Sequence, residues 1–236
     1  MSSRQVKAVI FDLDETLIDS KKGTCEADKK ITQMINEHLK HRKLNLTKTQ
    51  ILREVRSFDD KMNREVKYDR DKWWQIIVNN LGVNMTLSKA FIRKLTIAYW
   101  YAYARSSRPY RDTLSTLRYL KKKGLLLGLL TDTDVLKGMK KRRISELPFR
   151  HFFDAIVIAG EDTAKTKPSP EPYELIASKL GVTASQCVFV GDRPFTDIKG
   201  AKTAGMKTVL VCRRDWRFDV KADWTIKSLS ELRRIL

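Results

Sequence analysis

The apolar run 8–11 (Ala-Val-Ile-Phe) constrains the fold most, because it ends abruptly in two carboxylates, Asp12 and Asp14. A short run that is apolar throughout predicts a strand buried on both faces of a parallel sheet. Open α/β sheets bind their ligands at the carboxyl ends of the strands. Two carboxylates at that point repel each other, and a divalent cation is the usual reason for such a pair. The alternative is turn chemistry, since Asp also bonds its own backbone.

The chain from Tyr110 onward alternates between apolar runs and helical periodicity. Strands are predicted at 125–131, 154–159, 187–192, 207–211 and 224–226, and helices at 111–123, 135–146, 171–180, 197–204 and after Ser228. This alternation predicts βαβ units. We therefore expect an α/β fold, with a Rossmann-like parallel sheet core and helices on both faces.

The segment between the first strand and this alternating part has helical periodicity only. Helices are predicted over 25–43, 47–66, 71–81 and 86–105, and no strand is predicted among them. We expect residues 1–19 and 107–236 to form the catalytic core and residues 20–106 to form an inserted all-α cap. An insertion at this position is expected to lie over the strand-end carboxylates as a lid.

Two adjacent tryptophans, Trp73 and Trp74, stand out within the insertion. Neighbouring side chains on a helix point about 100° apart, so we expect that both cannot face one core. We expect one of them to face the substrate or a partner, while the other aromatic side chains of the insertion pack its core.

Composition and length narrow the class of protein. No stretch approaches the roughly 20 apolar residues of a membrane span, and the N-terminus has no signal-peptide pattern, so a cytoplasmic protein is expected. The three cysteines, Cys25, Cys187 and Cys212, form no Cys-x-x-Cys pair. The sequence therefore favours neither a disulfide framework nor a zinc site.

The formal charge is +19, from 47 Lys and Arg against 28 Asp and Glu. Such a charge attracts polyanions, so nucleic acid and small phosphorylated substrates are both partners to consider. The positive residues are spread along the chain, with short clusters at 121–123 and 140–143 in predicted surface helices. Solvated helix faces explain these clusters better than a specific nucleic-acid site.

Polar side chains also follow the later predicted strands. Thr131 and Asp132 are expected to open a helix, where a hydroxyl and free N–H groups would bind an anion. Lys167 lies in a proline-rich loop before a helix, and Asp192 and Asp197 follow another apolar strand. Each of these residues, taken alone, is also explained as a helix cap, a turn residue or a solvated side chain. Together they predict one sheet edge that suits Mg²⁺ and a phosphoryl group.

Four motifs in order resemble the haloacid dehalogenase superfamily of phosphohydrolases. They are D-L-D-E-T at 12–16, L-L-T at 129–131, K-P-x-P at 167–170 and G-D-x-x-x-x-D at 191–197. The insertion is similar to a C1-type helical cap, and the sequence around Lys167 resembles the phosphoglycolate phosphatase-like branch. The resemblance implies a Mg²⁺-dependent phosphatase of a small phosphorylated metabolite, acting through an aspartyl-phosphate.

The resemblance also implies roles for individual residues. Asp12 would attack phosphorus, Asp14 would act as acid and then base, and Lys167 would neutralise the phosphoryl group. Substrate contacts would come from Thr131, Asp132 and Lys167, with Thr16 bracing the Asp14 loop. Metal contacts would come from Asp12, the backbone carbonyl of Asp14, Asp192 and, through waters or Lys167, Asp197.

Two positions depart from the commonest pattern, and two other functions stay open. Glu15 stands where Gly or Asp is frequent, and Asp132 stands where Asn is common. A sugar phosphomutase would keep the same core, and a basic nucleic-acid-binding protein would use the fold as a scaffold. The complete set of acidic and basic groups favours the phosphatase. We expect a monomer or a homodimer.

Overall fold

The computed structural model describes residues 6–41, 46–65, 67–213 and 220–236. The chain forms two compact units. The core unit comprises Met1–Asp19, Arg108–Thr133 and Lys140–Leu236, and the helical unit comprises Ser20–Ser107 and Asp134–Met139. The last of these segments lies within the range 107–236 that the sequence assigns to the core.

The core unit is built on a six-stranded parallel sheet. Its strands are β1 (Ala8–Phe11), β4 (Leu126–Asp132), β5 (Ala155–Ala159), β6 (Cys187–Gly191), β7 (Lys207–Val211) and β8 (Trp224–Ile226). Their order is β5-β4-β1-β6-β7-β8, and every neighbouring pair is parallel. Strand β1 therefore lies inside the sheet, as its continuous apolar sequence predicts.

Both faces of this sheet are covered. The helices of the core are α5 (Thr113–Lys122), α6 (Met139–Ser145), α7 (Pro170–Lys179), α8 (Lys199–Thr203) and α9 (Leu232–Ile235). Val9 and Phe11 of β1 join the apolar cluster that includes α5 and α9, whereas Ala8 and Ile10 join the cluster that includes α7 and α8. The predicted α/β fold is confirmed.

A second, two-stranded sheet was not predicted. Strand β2 (Ile18–Asp19) pairs antiparallel with β3 (Arg108–Pro109), in the register Ile18–Pro109 and Asp19–Arg108. Both strands are two residues long, too short for an alternation of apolar and polar side chains to be recognised in the sequence.

The helical unit contains α1 (Lys21–Lys40), α2 (Lys48–Arg64), α3 (Trp73–Asn80), α4 (Lys89–Ser106) and a 3₁₀ turn at Arg70–Lys72. Thr47 caps α2 through a reciprocal capping box with Gln50. The predicted ends of the first two helices, residues 42–43 and 66, lie outside the described residues. Among the described residues, no helix has the length and apolarity needed to span a membrane.

Trp73 and Trp74 are both buried, with 3% and 1% of their surface exposed. The expectation that one of them faces outward is wrong. The Trp73 ring packs edge-on against Phe58, 6.0 Å between centroids, and the Trp74 indole N–H donates to Thr96 Oγ1 at 2.7 Å. Short helix α3 is covered on more than one side, so adjacent side chains can be buried together.

Two predicted helices of the core differ from the prediction at their N-terminal ends. Helix α6 starts at Met139 rather than Val135, because Val135 and Gly138 adopt left-handed backbone angles (φ 59° and 76°) that a helix cannot contain. The predicted helix 197–204 is a π-helical turn at Pro194–Ile198 followed by α8. In both cases the altered backbone follows a strand end at which site residues were predicted.

Candidate active site

Asp12 and Lys167 form the centre of the site. Asp12 directly follows β1 and is buried, and its Oδ1 lies 2.6 Å from Nζ of Lys167. The same ammonium group donates to Oδ1 of Asp197 at 2.7 Å. The backbone N–H of Lys167 donates to Oδ1 of Asp132 at 3.0 Å, which fixes the loop that carries the lysine. The structure thus brings four predicted site residues together.

Three buried carboxylates, those of Asp12, Asp192 and Asp197, lie close enough to hold a metal ion. Each offers an oxygen within 4.8 Å of the others. Burial raises the pKa of Asp12 to about 7, with the charge of Lys167 opposing that rise. Burial and the neighbouring Asp197 also hold the pKa of Asp192 well above its usual range.

Ionised carboxylates buried this close together are costly unless a further cation joins Lys167 in offsetting their charge. A donor set of carboxylate oxygens fits Mg²⁺, which prefers hard oxygen ligands. Both oxygens of Asp197 also serve the protein, since Oδ1 accepts from Lys167 and Oδ2 accepts from the backbone N–H of Arg193 at 3.0 Å. Asp197 therefore links the acidic cluster to the lysine.

Gly191 makes room for Asp197. A Cβ atom built at Gly191 would lie 2.5 Å from Oδ2 of Asp197, closer than real Cβ contacts allow. The π-helical turn that carries Asp197 is held from the other side by Tyr173, whose hydroxyl donates to the Thr196 carbonyl at 2.7 Å. The last residue of β6 is thus a glycine because the carboxylate lies against it.

Asp14 is placed differently from Asp12. Its side chain is 29% exposed, and its two oxygens are paired with Lys140 Nζ at 2.8 Å and Arg143 Nη2 at 2.5 Å. The sequence predicts a solvated helix face for residues 140–143, and that prediction is wrong for Lys140 and Arg143. The i,i+3 spacing of Lys140 and Arg143, which places both on one face of α6, was the available signal.

Thr131 and Asp132 are the last two residues of β4 and do not open a helix, since α6 begins seven residues later. The expectation that they open a helix is wrong. Thr131 therefore does not lie at a helix N-terminus with free N–H groups. Thr131 is buried at the strand end. Thr16 is also buried, and its hydroxyl has no hydrogen-bond partner in the described part of the chain.

Glu15 adopts a left-handed backbone (φ 64°) and is buried. This backbone conformation is easiest for glycine, which has no Cβ, and this explains why glycine is frequent at this position. Its carboxylate Oε2 accepts from the Tyr110 hydroxyl at 3.2 Å. The hydrogen bond gives the buried side chain a partner that a glycine would not need.

Comparison with known proteins identifies the family. A family model described as haloacid dehalogenase-like hydrolase matches residues 6–205. The chain belongs to this family. The predictions of this family and of a hydrolase are both confirmed. The match to this hydrolase family includes all four motifs on which the resemblance rests.

Relatives and solved structures extend the comparison. The chain is 32% identical to glyceraldehyde 3-phosphate phosphatase of Methanocaldococcus jannaschii over 240 residues, 96% of this chain and 95% of the relative. It is 28% identical to human N-acylneuraminate-9-phosphatase over 249 residues, 100% of this chain and 96% of the relative. Its fold is similar to that of a phosphatase of this hydrolase family from Thermococcus onnurineus, with a TM-score of 0.69, 24% identity, and 98% and 97% of the two chains covered.

Proposed function

We propose that the protein is a Mg²⁺-dependent phosphohydrolase that cleaves a small phosphomonoester through an aspartyl-phosphate. The observation that supports this most directly is the contact of Asp12 with Lys167 beside two further carboxylates. A carboxylate is a nucleophile for phosphoryl transfer, and a neighbouring ammonium group neutralises the charge that approaches it. The names of the relatives support the same reaction class.

The first step joins Asp12 to phosphorus. The carboxylate oxygen of Asp12 that is not held by Lys167 attacks, and the bond from phosphorus to the ester oxygen breaks. Asp14 donates a proton to that oxygen, so the product leaves as an alcohol. Lys167 remains beside the transferred phosphoryl group and offsets its negative charge.

The second step returns Asp12 to its starting state. Asp14, now a carboxylate, takes a proton from a water molecule that attacks phosphorus. The bond from phosphorus to the Asp12 oxygen breaks, and inorganic phosphate leaves. Asp12 and Asp192 would hold Mg²⁺, with Asp197 in support. The bound ion would supply positive charge for the phosphoryl oxygens.

The proposed substrates are small phosphorylated metabolites. The relatives are named for glyceraldehyde 3-phosphate and for N-acylneuraminate 9-phosphate, which share a terminal primary phosphate ester. We infer that this chain also cleaves a terminal phosphate ester of a sugar or a triose. Its positive charge of +19 favours the approach of such anions.

Release of inorganic phosphate from a panel of phosphomonoesters, with Mg²⁺ and with EDTA, tests the proposal. We expect turnover that requires Mg²⁺ and is abolished in Asp12→Asn. Asp60→Asn is the matched control, because Asp60 is an exposed aspartate of the helical unit. Turnover that survives Asp12→Asn would refute the mechanism. Isomerised sugar phosphate without free phosphate would instead identify a mutase.

A further inference from the structure

Two buried cations of α6 hold the carboxylate of Asp14. Lys140 pairs with Oδ2 at 2.8 Å and Arg143 pairs with Oδ1 at 2.5 Å. The side chains of Lys140 and Arg143 are each only 4% exposed, whereas the Asp14 side chain is 29% exposed. The cations are thus more deeply buried than the carboxylate they contact.

Burial of Lys and Arg is costly unless the charge has a partner. The neighbours on the same helix, Lys141 and Arg142, are exposed, and Arg142 pairs with Glu146 one turn away. The run of four positive residues therefore divides into a solvated face and a face that contacts Asp14. Solvation of the helix accounts for the first face only.

We propose that Lys140 and Arg143 are positioning residues that fix the orientation of Asp14 for proton transfer. This inference rests on the proposed phosphatase function. An aspartate in solution samples several rotamers, whereas a carboxylate held at both oxygens keeps one position and one plane. Each carboxylate oxygen has two lone pairs, so an oxygen that accepts from a cation can still carry the transferred proton.

Asp14 also activates the water of the second step, so loss of its positioning lowers kcat for both esters. That step follows departure of the leaving group and does not enter kcat/KM, so in kcat/KM the two cations affect only the bond from phosphorus to the ester oxygen. When the bond from phosphorus to the ester oxygen breaks, an alkyl ester needs the Asp14 proton to leave as a neutral alcohol. An aryl ester such as p-nitrophenyl phosphate leaves as a stable phenolate and needs no proton. Loss of positioning therefore lowers kcat/KM selectively for the alkyl ester, whereas loss of fold or of phosphate binding lowers kcat/KM equally for both esters.

The test measures kcat/KM for glyceraldehyde 3-phosphate and for p-nitrophenyl phosphate in Lys140→Met and Arg143→Gln. We expect each variant to lose about tenfold or more with the alkyl ester, as a displaced general acid does, and much less with the aryl ester. Arg143→Lys should recover part of the loss. The controls Lys141→Met and Arg142→Gln should match the wild type with both esters. Equal losses with the two esters would overturn the proposal, as would a gain with the alkyl ester.

A crystallographic measurement keeps the inference separate from the proposed function. In Lys140→Met and Arg143→Gln, we expect Asp14 to adopt other or several rotamers, with Asp12 and Lys167 unmoved. An Asp14 side chain that keeps its wild-type rotamer in both variants would overturn the positioning role, even if the wild type hydrolysed no ester. Absence of Mg²⁺-dependent hydrolysis by the wild type would instead refute the proposed function.

Discussion

The Nζ atom of Lys167 lies 2.6 Å from Oδ1 of Asp12. Burial by itself lowers the pKa of a lysine, but the carboxylates of Asp12, Asp197 and Asp132 outweigh it and raise the pKa of Lys167 well above its usual value. Lys167 is therefore positively charged at every physiological pH. Its charge opposes the rise that burial causes in the pKa of Asp12 and of Asp132.

Replacement of Lys167 by Met should reduce kcat/KM by about 100-fold or more, because removal of one charge-stabilising group from a buried site has effects of that size. Steady-state hydrolysis of glyceraldehyde 3-phosphate measures the loss. Lys165→Met is the control, since Lys165 is an exposed lysine of the same loop. A Lys167→Met enzyme with wild-type kcat/KM would remove Lys167 from the site.

Replacement of Gly191 by Ala should displace Asp197, because the added Cβ would meet the carboxylate at 2.5 Å. We expect a lower melting temperature and a loss of activity together. Gly181→Ala is the comparison: Gly181 has a left-handed backbone (φ 67°) and open space around it, so its substitution strains the backbone without touching the site. Full activity in Gly191→Ala would show that Asp197 moves without consequence.

The sequence predicted the sheet edge well because each strand end there changes abruptly from apolar to charged. Asp12, Lys167 and Asp197 could be placed together because parallel strands bring their carboxyl ends to one edge. Lys140 and Arg143 could not be placed beside Asp14 from the sequence, since their positions depend on where α6 begins. That start is set by the left-handed backbone at Val135 and Gly138, which no periodicity reveals.

Side-chain burial within the helical unit was equally hard to predict. The pattern of Trp73 and Trp74 indicates directions around one helix, but burial depends on what packs on each side. Arg70, for example, lies 4.4 Å from the centroid of the Trp73 ring and 4.1 Å from that of Tyr99. A sequence does not show which cation will cover which ring.

Asp28 should make the stability of the protein depend on pH. Burial, helped by the nearby charge of Asp59, raises the pKa of Asp28 to about 8, against about 3.9 in an unfolded chain. Between these values the unfolded chain releases a proton that the folded protein keeps. The contribution of Asp28 to stability is therefore fully present below about pH 4 and is lost as the pH rises to about 8.

Asp28→Asn removes this titration. We expect the free energy of unfolding of Asp28→Asn to increase steadily relative to that of the wild type as urea denaturation is repeated from pH 4 to pH 8, because the wild type alone loses stability over this range. A difference between Asp28→Asn and wild type that is constant over this range would contradict the raised pKa of Asp28.

Thr96→Val should destabilise the protein by about 1–3 kcal/mol, the usual cost of leaving a buried polar group without its partner. Thr96 accepts from the Trp74 indole at 2.7 Å and donates to Oδ1 of Asp71 at 2.5 Å. Chemical denaturation measures the loss. In a double-mutant cycle, Trp74→Phe should cost less in the Thr96→Val protein than in the wild type. Additive effects would mean that the two groups do not interact.

The short pairing of β2 with β3 brings the two ends of the helical insertion together. Residues 18–19 and 108–109 pair side by side, so the chain leaves the sheet-bearing part and returns to it at neighbouring positions. Residues 20–107 can be exchanged for another segment whose ends lie at the same spacing. The order of the strands in the large sheet then does not change. Protein engineering can therefore replace the helical insertion as one piece, while the strand order of the large sheet stays as it is.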